Sequence, residues 1–222
     1  MVHPLSIALL GFFLGMRHAT DPDHVLAVTT IVSREKKVGR AAWIGALWGL
    51  GHTATIVVVG GAIILFELVI PPRIGLTMEF SVAVMLILLG LLSLSGIARV
   101  GEGDAHTHPV RPAGRLRPLA VGVVHGLAGS AAVALLVLAT IRDPIWATAY
   151  LLVFGVGTVA GMMLITATIG LPFAYSAGRS ARINHWMGLV SGLVSVAFGA
   201  FLVYQIGFVN GLFTAHPTWA PK

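Results

Sequence analysis

GMRHATDPDHVLAV, Gly15 to Val28, places one arginine, two histidines and two aspartates between the apolar run of residues 5–16 and the largely apolar run Val25 to Val32. A second stretch, GVVHGLAGSAAVAL from Gly122, resembles it and sets His125 over His18 at an offset of 107. Two further matches follow in chain order. GLGHT at Gly49 lies over GVGTV at Gly155 (offset 106), and LGLL at Leu89 lies over FGAF at Phe198, with Gly90 over Gly199 (offset 109). Nearly equal offsets imply two related halves.

The surrounding sequence belongs in lipid. It is 57% apolar and only 10% charged, whereas soluble domains carry about a quarter charged residues. Apolar stretches at 5–16, 41–66, 80–98, 118–140, 146–171 and 186–208 mostly reach the roughly 20 residues that cross a hydrocarbon core of about 30 Å. The first is short unless it continues through the polar stretch that follows. No charged leader or small-residue cleavage site precedes it, so residues 5–16 read as mature helix. The expected fold is an all-α integral membrane protein of about six transmembrane helices.

The polar segment Arg99 to Arg117 divides the chain. It reads as a cytoplasmic linker (99–117) between a first three-helix repeat carrying the polar motifs (1–98) and a second repeat (118–210), with a C-terminal tail at 211–222. An odd number of helices per repeat forces the second half to insert upside down. Many secondary transporters use this inverted plan, with the substrate site near the midplane where the repeats meet. Glycines four apart, such as Gly11 and Gly15, Gly45 and Gly49, or Gly122 and Gly126, read as helix-packing contacts, because small residues let backbones approach closely in lipid.

The net charge of +6 is a topology signal and not a mark of nucleic-acid binding. Arg34, Lys36, Lys37, Arg40, Arg99, Arg111, Arg115, Arg117, Arg179 and Arg182 fall in the three loops of one face, against Arg73, Arg142 and Lys222 on the other. The positive-inside rule then puts these loops in the cytoplasm and both termini outside a cell (inner) membrane.

An ionised group at mid-bilayer costs on the order of 2.5–3.5 kcal/mol even on lenient scales, so the charges of residues 17–24 need partners or a use. On an ideal helix His18, Asp21 and His24 share an arc of roughly 120° while Asp23 points away. Pro22 leaves the carbonyl of His18 without its helical partner, which predicts a kink or break there. Arg17 stands four residues before Asp21 and either pairs with it in the absence of metal, or pairs permanently and leaves Asp23 as the ligand. His52, followed by Thr53 near the middle of the next span, comes to a depth similar to His18 if the two helices pack antiparallel. There are no cysteines, so any metal chemistry uses nitrogen and oxygen. Neutral imidazole with carboxylate suits Ni, Co, Zn and Cu, whereas an all-oxygen site would suit Mg or Ca.

HATDPDH resembles the HX4DH signature of the nickel/cobalt transporter family, and LGHT resembles that family's second motif. The resemblance implies metal selection and transport by His18, Asp21, Asp23 and His24, with His52 alongside. Pro22 stands where the family usually has a small residue, and the chain is shorter than the eight-helix members. VHGLAGSAA around His125 is similar to a compact branch of urease-accessory permeases, which implies nickel before cobalt.

The expected activity is therefore transport of Ni2+ or Co2+ by alternating access, with no tightly bound cofactor and no enzymatic function. His125 is a possible further ligand, and Met1-Val2-His3 offers a separate amine and imidazole set. His106 and His108 in the linker suit hand-off of metal to cytosolic metallochaperones. The competing reading is a b-type cytochrome with haem on His18, His52 and His125. No Walker-type phosphate loop is present, and an intramembrane metallohydrolase lacks its H-E-x-x-H signature.

Overall fold

The computed structural model describes residues 4–33, 35–66, 70–101, 113–127, 141, 143–177 and 179–219. These form seven α-helices and no strand: α1 Pro4–His18, α2 Pro22–Val32, α3 Val38–Phe66, α4 Pro72–Gly101, α5 Ala113–Gly126, α6 Pro144–Ala177 and α7 Ala181–Tyr204. A π-helical turn, Gln205–Val209, continues α7.

Four of them, α3, α4, α6 and α7, are individually long and apolar enough to cross a membrane. The first apolar run does not become a fifth such helix. It lies within α1, the run Val25 to Val32 forms the separate α2, and the reason for the break is local. Pro22 has no N–H, and the carbonyl of His18 instead accepts from Asp21 N at 3.1 Å, while Thr20 N donates to Arg17 O at 2.8 Å. Pro22 then occupies the first turn of α2, where its fixed φ suits the helix. Of the fourth run, expected at 118–140, α5 covers the start, beginning earlier at Ala113 and ending at Gly126, while 128–140 lie outside the described residues. Helix α4 runs on to Gly101, so helical structure enters the 99–117 segment from both sides. His106 and His108, like His3, lie outside the described residues.

Helices α3 and α6 pack along each other at the centre. Helix α1 lies on α6, α5 lies on α3, and α4 pairs with α7, while α2 is wedged among α4, α6 and α7. Glycines mark these crossings, as helix association in lipid requires. A Cβ on Gly49 would stand 2.9 Å from Val159 Cα, one on Gly161 3.0 Å from Met16 Cα, and one on Gly126 2.6 Å from the carbonyl oxygen of His52. The outward faces carry exposed Phe13, Trp43, Val58, Leu88, Leu164 and Phe201, the apolar surface that lipid would cover. Between α2 and α3, partial burial raises the pKa of Glu35, and Arg40, 3.8 Å away, opposes the shift.

The segment 211–219 folds back over α4. Trp219 packs against Gly75, and its indole N–H donates to Glu79 Oε1 at 2.9 Å.

Candidate metal centre

His18 is the last residue of α1, Asp23 and His24 lie in the first turn of α2, His52 is in the middle of α3, and His125 is one residue from the end of α5. Packing brings all five together. His24, His52 and His125 are fully buried and His18 is 7% exposed. Ring centroids separate by 4.1 Å for His24 and His125, 4.7 Å for His18 and His24, and 5.0 Å for His24 and His52.

Hydrogen bonds orient the rings. His18 Nδ1 donates to Asp21 Oδ2 at 2.9 Å. Asp23 Oδ1 accepts from His24 Nδ1 at 3.1 Å and from the His24 backbone N–H at 3.0 Å, and its Oδ2 accepts from His125 Nε2 at 3.0 Å. With the proton of neutral His18 on Nδ1, its Nε2 accepts from His52 Nε2 at 2.9 Å. These tautomers leave His24 Nε2, His52 Nδ1 and His125 Nδ1 as bare lone pairs, and all three are buried without a hydrogen-bond partner. A buried acceptor left unmatched costs on the order of 1–3 kcal/mol. Three on adjacent rings is an arrangement that a cation would relieve. Imidazoles held from behind by carboxylates are the usual pattern of metal-ligating histidine.

The backbone favours a cation as well. Helices α1 and α5 both terminate at the cluster, and each helix C-terminus carries about half a negative charge. Asp23 gains from the opposite polarity at the start of α2.

Several expectations meet a different geometry. Asp23, which a straight helix would point away, faces the cluster because the break at residues 19–21 resets the helical phase. Arg17 is exposed, and Asp21 pairs with His18 rather than with Arg17. Thr53 Oγ1 donates to Gly155 O at 3.2 Å, tying α3 to α6. The cytochrome reading meets an obstacle: His18 and His52 present nitrogens 2.9 Å apart, too close to flank one haem iron from opposite faces.

Two residues outside the sequence motifs also belong to the site. Trp48 is fully buried and stacks on His24, with centroids 5.7 Å apart and planes at 17°; its spacing of four from His52 on α3 was the available signal. Glu79, a carboxylate within an apolar helix, lines a cleft of about 370 Å3 with Asp21, Asp23, Gln205 and Asn210. This cleft leads from the surface to the aspartates. A smaller pocket of about 80 Å3, lined by Thr30, Ser93 and Arg117, lies at the other end of α2.

A family model described as High-affinity nickel-transport protein matches residues 4–99, the part that holds His18, Asp23, His24 and His52. The urease accessory protein UreH of Bacillus sp. (strain TB-90) is 39% identical over 218 residues, covering 94% of this chain and 95% of the relative. The chloroplast protein FOR GROWTH AND FERTILITY 1 of Arabidopsis thaliana is 28% identical over 230 residues, or 94% of this chain and 62% of that one. A high-affinity nickel transport protein of Cupriavidus necator shares 40% identity over 58 residues, 25% of this chain and 16% of its own length. No solved structure shows a significant match. With its motifs, its multi-pass helical fold and near full-length similarity to UreH all in accord, the chain belongs to the nickel-transport protein family, whose members are metal-ion permeases and not enzymes.

Proposed function

We propose that this chain carries Ni2+, and Co2+ by the same ligand set, across the cell (inner) membrane by alternating access, on a cluster of His18, Asp21, Asp23, His24 and His52 with His125 beside it. The observation that carries this reading is the set of buried imidazole nitrogens that lack any partner. Their donor chemistry is that of borderline divalent ions. With Asp21 and Asp23 ionised, one divalent ion makes the site neutral, which lowers the cost of moving it through a low-dielectric interior.

Alternating access draws support from the internal pattern. Helices α3 and α6 start 106 residues apart, α4 and α7 start 109 apart, and His18 and His125, 107 apart, each lie at the end of a helix. Exchanging the halves maps the α1–α6 packing onto α5–α3 and returns the α3–α6 and α4–α7 pairs to themselves. This favours two inverted three-helix repeats, 1–98 and 118–210, joined by a cytoplasmic 99–117 linker and followed by the tail.

The basic loops then face the cytoplasm, and the wide cleft at Glu79 opens outward. Hand-off to a cytosolic metallochaperone fits the same orientation. The test is uptake of nickel and of cobalt into vesicles containing purified protein, with metal analysis of the protein itself. Absence of saturable uptake of either ion would overturn the proposal.

A further inference from the structure

The cluster contains two ligand sets. His18, His24 and His52 each offer one atom within 4.8 Å of the others, and so do Asp23, His24 and His125. The first set comes from α1, α2 and α3, whereas the second joins α2 to α5 across the two halves of the chain. The nitrogens that the hydrogen bonds leave bare divide between the sets: His52 Nδ1 belongs to the first, His125 Nδ1 to the second, and His24 Nε2 to both.

We propose that Asp23, His24 and His125 form a second metal station beside the His18, His24 and His52 station, and that one ion at a time passes between them with His24 as the ligand common to both. The inference rests on the transport reading above. Single occupancy follows from chemistry. A neutral imidazole has one lone pair, so His24 serves one ion at a time. Two divalent ions would also set four positive charges against the two carboxylates at hand, Asp21 and Asp23, in a buried site where repulsion is poorly screened. Keeping one ligand throughout the transfer spares the ion from being stripped bare between stations. Because the second station spans both halves, its occupancy senses their relative position, which the first station, built from one half alone, does not.

Equilibrium dialysis with Ni2+ on the full-length protein, together with vesicle uptake, tests this. Wild type should bind one ion per chain. His52→Ala cripples the first station and His125→Ala the second, so each variant should still bind one ion, at least tenfold more weakly, while uptake is lost in both. His24→Ala should lose saturable binding. His125→Gln keeps an amide N–H for Asp23 but no imidazole lone pair; it should behave as His125→Ala does, separating ligation from mere packing. Two ions per wild-type chain would overturn the proposal, a result that needs no variant. So would a complete loss of binding in either single-station variant, which would indicate one undivided site, or wild-type uptake by His125→Gln. If wild type binds no nickel at all, the transport reading itself fails.

Discussion

Replacing Gly126 with alanine changes no ligand, yet it should disable the site. The added Cβ would stand 2.6 Å from the carbonyl oxygen of His52, 2.8 Å from Thr55 Cβ and 3.2 Å from His52 Cα. Contacts below 3.0 Å are essentially never populated by real Cβ atoms. Two of the three neighbours are backbone atoms of α3, which cannot swing aside, so α5 must move away by roughly half an ångström or more, a strain of the kind that costs about 1–3 kcal/mol. That shift acts on His125, the adjacent residue, and on the 3.1 Å bond from Thr55 Oγ1 to Val123 O that ties the same two helices. A matched control exists on α3. Gly61 has nothing within 4 Å of its Cβ position, so Gly61→Ala should be neutral or stabilising by up to about 1 kcal/mol from helix propensity. Thermal denaturation of the purified proteins and nickel uptake in vesicles give the comparison. Gly126→Ala should melt several degrees lower and lose most uptake, with Gly61→Ala near wild type. Equal behaviour of the two variants would refute the claim that close approach of α5 to α3 builds the site.

Alanine at His18, Asp23 or His24 should abolish saturable uptake while membrane insertion persists, since no apolar span changes; wild-type uptake by all three would sink the site assignment. Asp21→Asn acts through the orientation of His18, so nickel affinity in equilibrium dialysis should fall by about 10–100-fold rather than vanish. Glu79→Gln should raise the nickel concentration needed for half-maximal uptake more than it lowers the maximal rate, because it removes charge from the cleft and not from the cluster. The chain has no cysteine of its own, so Lys36→Cys should react with impermeant reagents only from the cytosolic side and Thr214→Cys only from outside; the reverse pattern would overturn the orientation. Protons compete with metal for imidazole, so nickel affinity in equilibrium dialysis should fall on acidification; an affinity unchanged down to about pH 4, where ordinary imidazole is fully protonated, would remove histidine from the ligand set.

Some of this was decided locally and is legible in the chain. A charge-poor, apolar composition leaves helices in lipid as the natural solution, and Pro22 cannot satisfy the His18 carbonyl, so the break between α1 and α2 follows from one residue's chemistry. His18, His24 and His52 stand out because polar groups are costly in apolar spans. The direction of Asp23 was another matter. Periodicity assumes a continuous helix, and three non-helical residues before Pro22 were enough to turn that carboxylate toward His24 and His125. Arg17 follows the same logic, since Asp21 had the nearer His18 to pair with and the arginine stays exposed. The sequence offers His125 as a possible further ligand but not its partner; only the packing of Gly122 and Gly126 against α3 brings it to Asp23, 102 positions earlier. Trp48 against His24, and the tail's Trp219 on Glu79 across 140 positions, are likewise products of helix contacts. Elements arise from forces between near neighbours along the chain, whereas a metal centre needs side chains from several elements at distances of about 3 Å, and those distances exist only once the helices have packed.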